Sequence, residues 1–367
     1  MSAAARDAQP GVLVERPGML TTVQDLGRFG WQHLGIVPSG AMDGSALRLA
    51  NALVGNPPTA AALEITLRGP SLHFESEALV ALAGADFGGK VIARGQTATL
   101  PLQRPVLFVA GSHLIIEQAT RGARGYLAVA GGFALAPILG SRATYMPAGF
   151  GGFAGRALKA GDRLPLDPAA GTLAASRFAQ LAERRDHVVV QGVCSTVRWW
   201  VPAQNLPDLP NGPDAAVTTV RCTDGHHRAL FTAAAHAIFE STVFRIAPDS
   251  NRMGYRMRGA TLARKIDRDV LSEPTCLGTV QVPADGLPIV LMADHQTTGG
   301  YAKIAEVALA DIPRLAQLVP GAQVRFSRCT LDEAVAAQHA AHGALVALEQ
   351  SIGWQFGDES FVSTHRK

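Results

Sequence analysis

Three polar segments of this chain carry side chains able to do chemistry. The first runs Thr21-Thr-Val-Gln-Asp-Leu-Gly-Arg28 and continues through Gln32, His33 and Ser39-Gly-Ala-Met-Asp43. The second is Ser250-Asn-Arg-Met-Gly-Tyr255, and the third is Asp294-His-Gln-Thr-Thr-Gly-Gly-Tyr-Ala-Lys303. The third follows directly on the apolar run Pro288 to Met292. A strand end there opens into amide, hydroxyl, phenol and ammonium groups, with backbone N–H groups at Gly299 and Gly300. Such a set can orient a small amide and stabilise negative charge developing on its oxygen. Thr and Gln satisfy a complicated turn equally well, so residue type alone leaves both readings open.

Common catalytic signatures are missing from the sequence: there is no G-x-x-x-x-G-K-[ST], no G-x-S-x-G and no H-E-x-x-H. The four cysteines (Cys194, Cys222, Cys276, Cys329) form no C-x-x-C pair and read as reduced thiols of a cytoplasmic protein. Among the eleven histidines only His226-His227 and His339/His342 come close in sequence. One pair falls at an expected helix start and the other on a helix face, so both read as capping or solvated residues and no metal site is expected. The glycine run Gly149-Phe-Gly-Gly-Phe-Ala-Gly155 resembles a phosphate cradle, but no helix pattern follows it. A tight turn is the simpler reading.

The elements that must position these segments are mostly strands. Short apolar runs bounded by glycine or proline recur at Leu79–Ala83, Val106–Ala110, Leu114–Ile116 and Tyr126–Ala130, too closely for helices to fit between them. The 38 glycines and 22 prolines in 367 residues favour tight turns over a helical bundle. Helices are expected at Asp43–Val54, Ala174–Arg185 and His227–Phe239. A last one of about 20 residues starts at Leu331, where Thr330 and Glu333 form a capping box. Further strands are expected at Thr242–Ile246, Gly278–Val282, Pro288–Met292 and Gln323–Ser327, and a loop at Pro202–Pro213. A mainly β chain with a few helices (α+β) follows. Its expected parts are an N-terminal domain over residues 12–185, a second β domain over 186–330, and a helix and tail over 331–367. The net charge of +3 is too small to imply nucleic acid or an anionic membrane as partner, and the N-terminus lacks a signal-peptide pattern, so a cytoplasmic protein is expected.

At the three polar segments the chain also resembles a family. Thr21 to Arg28, Ser39 to Asp43, Leu47-Arg-Leu-Ala-Asn51, Val54-Gly-Asn56 and Ala62-Leu-Glu-Ile-Thr66 are similar to the KipA family. That family is also called allophanate hydrolase subunit 2, carboxyltransferase domain A/B, or the 5-oxoprolinase C subunit. The resemblance continues through Tyr126 to Gly132, Gly149 to Arg156, Lys159 to Pro165, Ser250 to Arg256, Gly278 to Pro283, Pro288 to Asp294 and Gln296 to Tyr301.

The resemblance implies two β-barrel-like domains of cyclophilin-like character. It also implies one component of an ATP-dependent 5-oxoprolinase, which opens 5-oxo-L-proline to L-glutamate and uses ATP, with Mg, as co-substrate. The implied partners are a KipI-like protein (the B subunit) and a LamB/YcsF-like protein (the A subunit). Two alternatives come with it. One is the carboxyltransferase part of a urea or amide carboxylase, with biotin supplied by another chain. The other is a regulatory partner that sequesters a KipI-like kinase inhibitor.

For lactam opening, Arg252 and Lys303 are expected to supply charge, and Asn251, Gln296, Thr297 and Thr298 to orient the amide. Asp43 or Asp294 would handle protons or serve structure, so the catalytic candidates are Asp43, Asp294 and Lys303. Tyr255 and Tyr301 would line the pocket or, equally, serve as buried packing. Arg28, Glu64, Gly299 and Gly300 are expected to be structural.

Overall fold

A computed structural model describes residues 10–183, 187–202, 216–266 and 270–357. The chain forms two compact units: Met1–Gly27 with Gly44–Leu206 and Ala344–Lys367, and Arg28–Asp43 with Pro207–Gly343. The expected loop at Pro202–Pro213 falls almost wholly outside the described residues.

The first unit is an eleven-stranded sheet. Its strands are β1 (Gly11–Arg16), β2 (Leu20–Gln24), β3 (Ala62–Thr66), β4 (Ser71–Phe74), β5 (Ala78–Ala93), β6 (Gln96–Thr99), β7 (Val106–Phe108), β8 (Ser112–Val129), β9 (Arg163–Pro165), β10 (His187–Val190) and β11 (Cys194–Val197). The helices α1 (Gly44–Leu53) and α2 (Ala170–Glu183) accompany them. The runs at Leu79–Ala83, Leu114–Ile116 and Tyr126–Ala130, expected to be separate short strands, lie within two long ones that pair along most of their length. Glycine bends these strands instead of ending them. The register of β5 on β8 shifts between Gly84 and Gly89. Gly84 has φ +94°, and a Cβ there would lie 2.6 Å from the Arg124 carbonyl oxygen, so only glycine fits the bend. Val14, Leu63, Leu72, Phe74, Phe87 and Leu127 are among the residues of this unit's core.

Strand β11 pairs with β7, and β10 with β11. The expected boundary at residues 185/186 is therefore displaced, because residues 187–197 extend the first sheet. The glycine run at 149–155 is a tight turn, as expected. Gly155 N–H donates to Gly151 O over 2.9 Å, and a Cβ on Gly155 would sit 2.0 Å from the Gly149 carbonyl.

The second unit is built on a closed barrel in the order β12-β19-β16-β17-β14-β13-β20. These strands are β12 (Thr218–Asp224), β13 (Phe244–Ile246), β14 (Gly254–Arg258), β16 (Thr279–Val282), β17 (Ile289–Leu291), β19 (Ala302–Val307) and β20 (Gln323–Arg328). A two-stranded ribbon, β15 (Glu273–Pro274) with β18 (Thr298–Gly299), is separate from the barrel. The barrel closes through the parallel pairing of β12 with β20, which leaves no barrel edge exposed. Phe239, Phe244 and Phe326 pack together inside, with the Phe239 and Phe326 rings stacked 4.5 Å apart. Met42, from the segment 28–43, joins the same core. The expected pair of barrel-like domains thus consists of one curled half-barrel sheet and one closed barrel.

The remaining described α-helices are α3 (Ala233–Ser241), α4 (Ile312–Ala316) and α5 (Leu331–Gln355). The single helix expected over His227–Phe239 is broken. A 3-10 turn spans Arg228–Leu230, and Thr232 then caps α3 by accepting the Ala235 N–H at 3.1 Å. The capping box of α5 forms as expected: Thr330 N–H donates to Glu333 Oε2 (2.7 Å), and Glu333 N–H donates to Thr330 Oγ1 (3.2 Å).

Within the first unit, Glu349 near the end of α5 is buried and accepts both donors of Arg48 on α1, at 2.8 and 2.6 Å. Arg48→Met would take the guanidinium away from a buried carboxylate. The expected cost is about 3–5 kcal/mol, read as a lower urea midpoint. A double substitution Arg48→Met/Glu349→Met should recover most of it.

Candidate functional site

One wall of the barrel carries a polar outer face. Strands β16 and β19 pair with Thr279 opposite Glu306 and Gln281 opposite Lys303, and a register shift between these pairs leaves Ile304 as an extra residue. Strand residues alternate faces. Without the extra residue Lys303 and Glu306, three apart, would point oppositely. The bulge instead turns Ile304 and Ala305 toward the barrel core with Val280 and Val282. Lys303, Glu306, Thr279 and Gln281 share the other side.

The ribbon and its flanks contact this face. Lys303 Nζ lies 2.7 Å from Glu273 Oε1 and donates to the Pro274 carbonyl. Gln296 Nε2 donates to Gln281 Oε1 over 3.3 Å. The Thr275 hydroxyl donates to the Gln296 carbonyl, which also receives a bond from His295 Nδ1 at 2.7 Å. A Cβ on Gly299 would fall 2.5 Å from Gln281 Nε2 and 3.3 Å from Gln296 Nε2. Glycine therefore lets the ribbon lie directly against the two amides. Gln281 is 1% exposed, and its Nε2 makes no hydrogen bond to any described residue. Such an orphaned buried donor is costly, and in a native site it commonly awaits a ligand.

The electrostatics of the face are uneven. The Lys303 ammonium holds the Glu273 carboxyl below the usual carboxylate range. Burial pushes Glu306 up, against the smaller opposing effect of its hydrogen bonds with Thr279 and Cys276. The Cys276 thiol, 3.5 Å from Glu306 Oε2, is also pushed up by burial. His227 and His295 are both lowered chiefly by burial, so both imidazoles favour the neutral form.

The expected site residues divide into groups. Lys303, Gln296 and Gly299 meet at the polar wall. Thr297 supplies a carbonyl to the Thr275 N–H (3.0 Å), Thr298 is exposed on β18, Gly300 lies close to Ser272, and Tyr301 is half exposed. Asp294 is 0% exposed. It accepts the Ser39 hydroxyl at 2.6 Å and Arg252 Nε and Nη2 at 2.9 and 3.0 Å, while Arg252 also donates to the Gly40 carbonyl. This buried ion pair pins the segment 28–43 to the turn after β17. Asp43, also buried, accepts from Gln317 Nε2 at 2.7 Å. The Asn251 side chain accepts the Met253 N–H and shapes its own turn. Tyr255 is packed in the barrel core, with its hydroxyl 3.5 Å from the Ala316 and Leu318 carbonyls. Arg28 is buried, its N–H bonded to the Pro38 carbonyl. Glu64 lies in the first unit and accepts the Tyr126 hydroxyl at 2.8 Å.

Sequence reasoning passed over Gln281, Glu273 and Glu306, and read His227 as a capping or solvated residue. The signal available for Gln281 was a polar residue at the centre of the apolar strand Gly278–Pro283. Nothing local marks Glu273, which reaches Lys303 only through the ribbon.

The family model for "Carboxyltransferase domain, subdomain A and B" matches residues 34–328. The chain is 39% identical over 325 residues to the 5-oxoprolinase C subunit of Escherichia coli, covering 88% of this chain and 93% of that protein. It is 34% identical to the Haemophilus influenzae protein of the same name, covering 85% and 89%. Among solved structures, the Kluyveromyces lactis urea amidolyase superposes with a TM-score of 0.76 at 28% identity. That match covers 92% of this chain and 20% of the amidolyase, so the chain spans about a fifth of that enzyme. No helix among the described residues is long and apolar enough to cross a membrane.

Two measurements separate frame from face. Asp294→Ala leaves Arg252 buried without its carboxylate and should cost about 3–5 kcal/mol in urea unfolding, whereas Gln296→Ala should change stability by less than about 1 kcal/mol. For Glu306, the raised pKa in the folded state favours the protonated form. Its contribution is complete below the ordinary value of 4.5 and is lost as pH rises through the raised folded value. The stability of the natural protein relative to Glu306→Gln should therefore fall as the pH of the unfolding series climbs from about 4.5 toward neutrality.

Proposed function

The chain belongs to the carboxyltransferase subdomain A and B family, and on that basis we propose that it is the C subunit of an ATP-dependent 5-oxoprolinase. The near end-to-end match to the Escherichia coli protein carries this reading. The more distant urea amidolyases match over only 16% of their length. The polar wall supports it chemically. A lactam presents a carbonyl acceptor and an N–H donor, and the wall offers the Gln281 amide donor beside the Lys303 ammonium.

Lactam opening by water is unfavourable near neutrality. Transfer of a phosphoryl group from ATP to the amide oxygen, releasing ADP, makes the ring carbon a better electrophile. Water adds to that carbon, the ring C–N bond breaks with a proton passing to the departing nitrogen, and a second water hydrolyses the resulting acyl phosphate to give the open amino acid and phosphate. In this reading Gln281 Nε2 and Lys303 bear on the charge developing at the carbonyl oxygen. Gln296 orients Gln281 through its own amide, and Glu306 exchanges protons at the edge of the wall. Arg252 and Lys303 already hold carboxylates of this chain. They are therefore poor anchors for a triphosphate, which supports binding of ATP and its magnesium on a partner chain, KipI-like or LamB/YcsF-like. The urea amidolyase likeness keeps a second reading in view, carboxyl transfer to a urea-like nitrogen with biotin carried by another chain.

Reconstitution with the two partner proteins tests the proposal. 5-Oxoproline should stimulate ADP release. Gln281→Leu should lower turnover by about 10²–10³-fold, the usual loss for one oxyanion donor, with little change in melting temperature. Absence of ADP release, together with urea carboxylation supported by a biotin-bearing partner, would favour the second reading.

A further inference from the structure

We propose that His226, His227 and Glu273 form a binding site for a borderline divalent cation of the zinc class, at the end of the polar wall. The three side chains each turn one donor atom inward, and these atoms lie within 4.8 Å of one another. His227 Nδ1 is 3.5 Å from Glu273 Oε1, and His226 Nε2 is 4.0 Å from Glu273 Oε2. A tetrahedral ion with bonds of about 2.0–2.2 Å needs donors roughly 3.4 Å apart. The donor set, within 4.8 Å throughout, therefore closes on such an ion by side-chain shifts of at most about 1.4 Å. Two imidazoles and a carboxylate form the donor set of open zinc sites, in which a fourth position is left to water or an anion.

The backbone holds this arrangement in place. Gly225 N–H donates to the Ile304 carbonyl, and His227 N–H to the Lys303 carbonyl, each at 3.0 Å. A Cβ on Gly225 would meet Ala305 N at 2.5 Å, so glycine is what lets this loop lie on β19 and present both histidines. Glu273 is fixed from the other side by the ribbon, where it pairs with Gly299. The Lys303 N–H donates to His227 Nδ1 over 3.4 Å, a long bond that a metal ion would replace. Lys303 also sets an opposing effect: its ammonium, 2.7 Å from Glu273 Oε1, competes with any cation drawn to that carboxylate.

The competition gives the test its discriminating arm. The full chain, stripped with chelator, is titrated with Zn2+ against a chromogenic competitor and separately with Co2+, whose visible spectrum reports coordination number. One equivalent of Zn2+ should bind, with a four-coordinate Co2+ spectrum. His227→Ala and Glu273→Gln should weaken binding by at least the roughly 10–100-fold that loss of an outer-shell partner alone costs. Lys303→Met should tighten it about tenfold by removing the adjacent positive charge. His226→Ala, whose side chain is 75% exposed, cannot unfold the barrel and should weaken binding as well. No saturable binding, a six-coordinate Co2+ spectrum, or affinity unchanged in His226→Ala and Glu273→Gln would overturn the site. None of these readouts depends on turnover, so failure here is distinguishable from failure of the 5-oxoprolinase reading.

Discussion

A β-strand offers its two faces to alternate residues, and the polar wall exists because β19 breaks that rule once. The extra residue Ile304 lets Lys303 and Glu306 face the same way while Ile304, Ala305 and Val307 still fill the barrel core. The partner strand β16 needs no irregularity, since Thr279 and Gln281 are two apart. Everything assembled on the face follows from this step: the ribbon carboxylate on Lys303, the amide pair Gln281 and Gln296, and the histidine loop pinned to the carbonyls of Lys303 and Ile304.

Charge is handled differently in the frame and on the face. Arg252 with Asp294, and Arg48 with Glu349, are buried pairs whose donors and acceptors are matched at short range. Such pairs fix geometry more than they add stability. On the polar wall the matching is incomplete. Lys303 shares Glu273 with two imidazoles, Glu306 is shifted by burial, and Gln281 has an unused donor. Incomplete satisfaction is costly in a core and useful in a site, where a ligand supplies the missing partner.

Much of this was legible in sequence and some was not. Mainly β character, the capping box at Thr330 and Glu333, and the turn at Gly149–Gly155 follow from local chemistry and are present. Strand length was misread because Gly84 and Gly125 look like strand ends, whereas they sit inside β5 and β8 where a neighbouring backbone or ring leaves no room for a side chain. The third polar segment contributes Gln296, Gly299 and Lys303 to the polar wall. The first two segments drew attention to Asp43, Asn251 and Arg252, polar residues whose described partners hold turns and buried contacts. What local pattern cannot show is pairing across distance. Glu273 and Gln281 acquire their significance only from the strand and ribbon opposite them.

The segment from Arg28 to Asp43 belongs to the barrel unit, although the chain on both sides of it belongs to the sheet unit. Ser39 bonds to Asp294, 255 residues later. For a chain emerging N-terminus first, Ser39 and Met42 are synthesised well before the wall that will receive them. The sheet unit has its first strands and α1 in hand while this stretch between them still lacks its destination. Barrel closure adds the same delay, since β12 must wait for β20. Contacts of such long sequence separation slow folding. Both units therefore wait on distant residues, the barrel on Gln323–Arg328 and the sheet unit on Glu349, which reaches back 301 residues to Arg48.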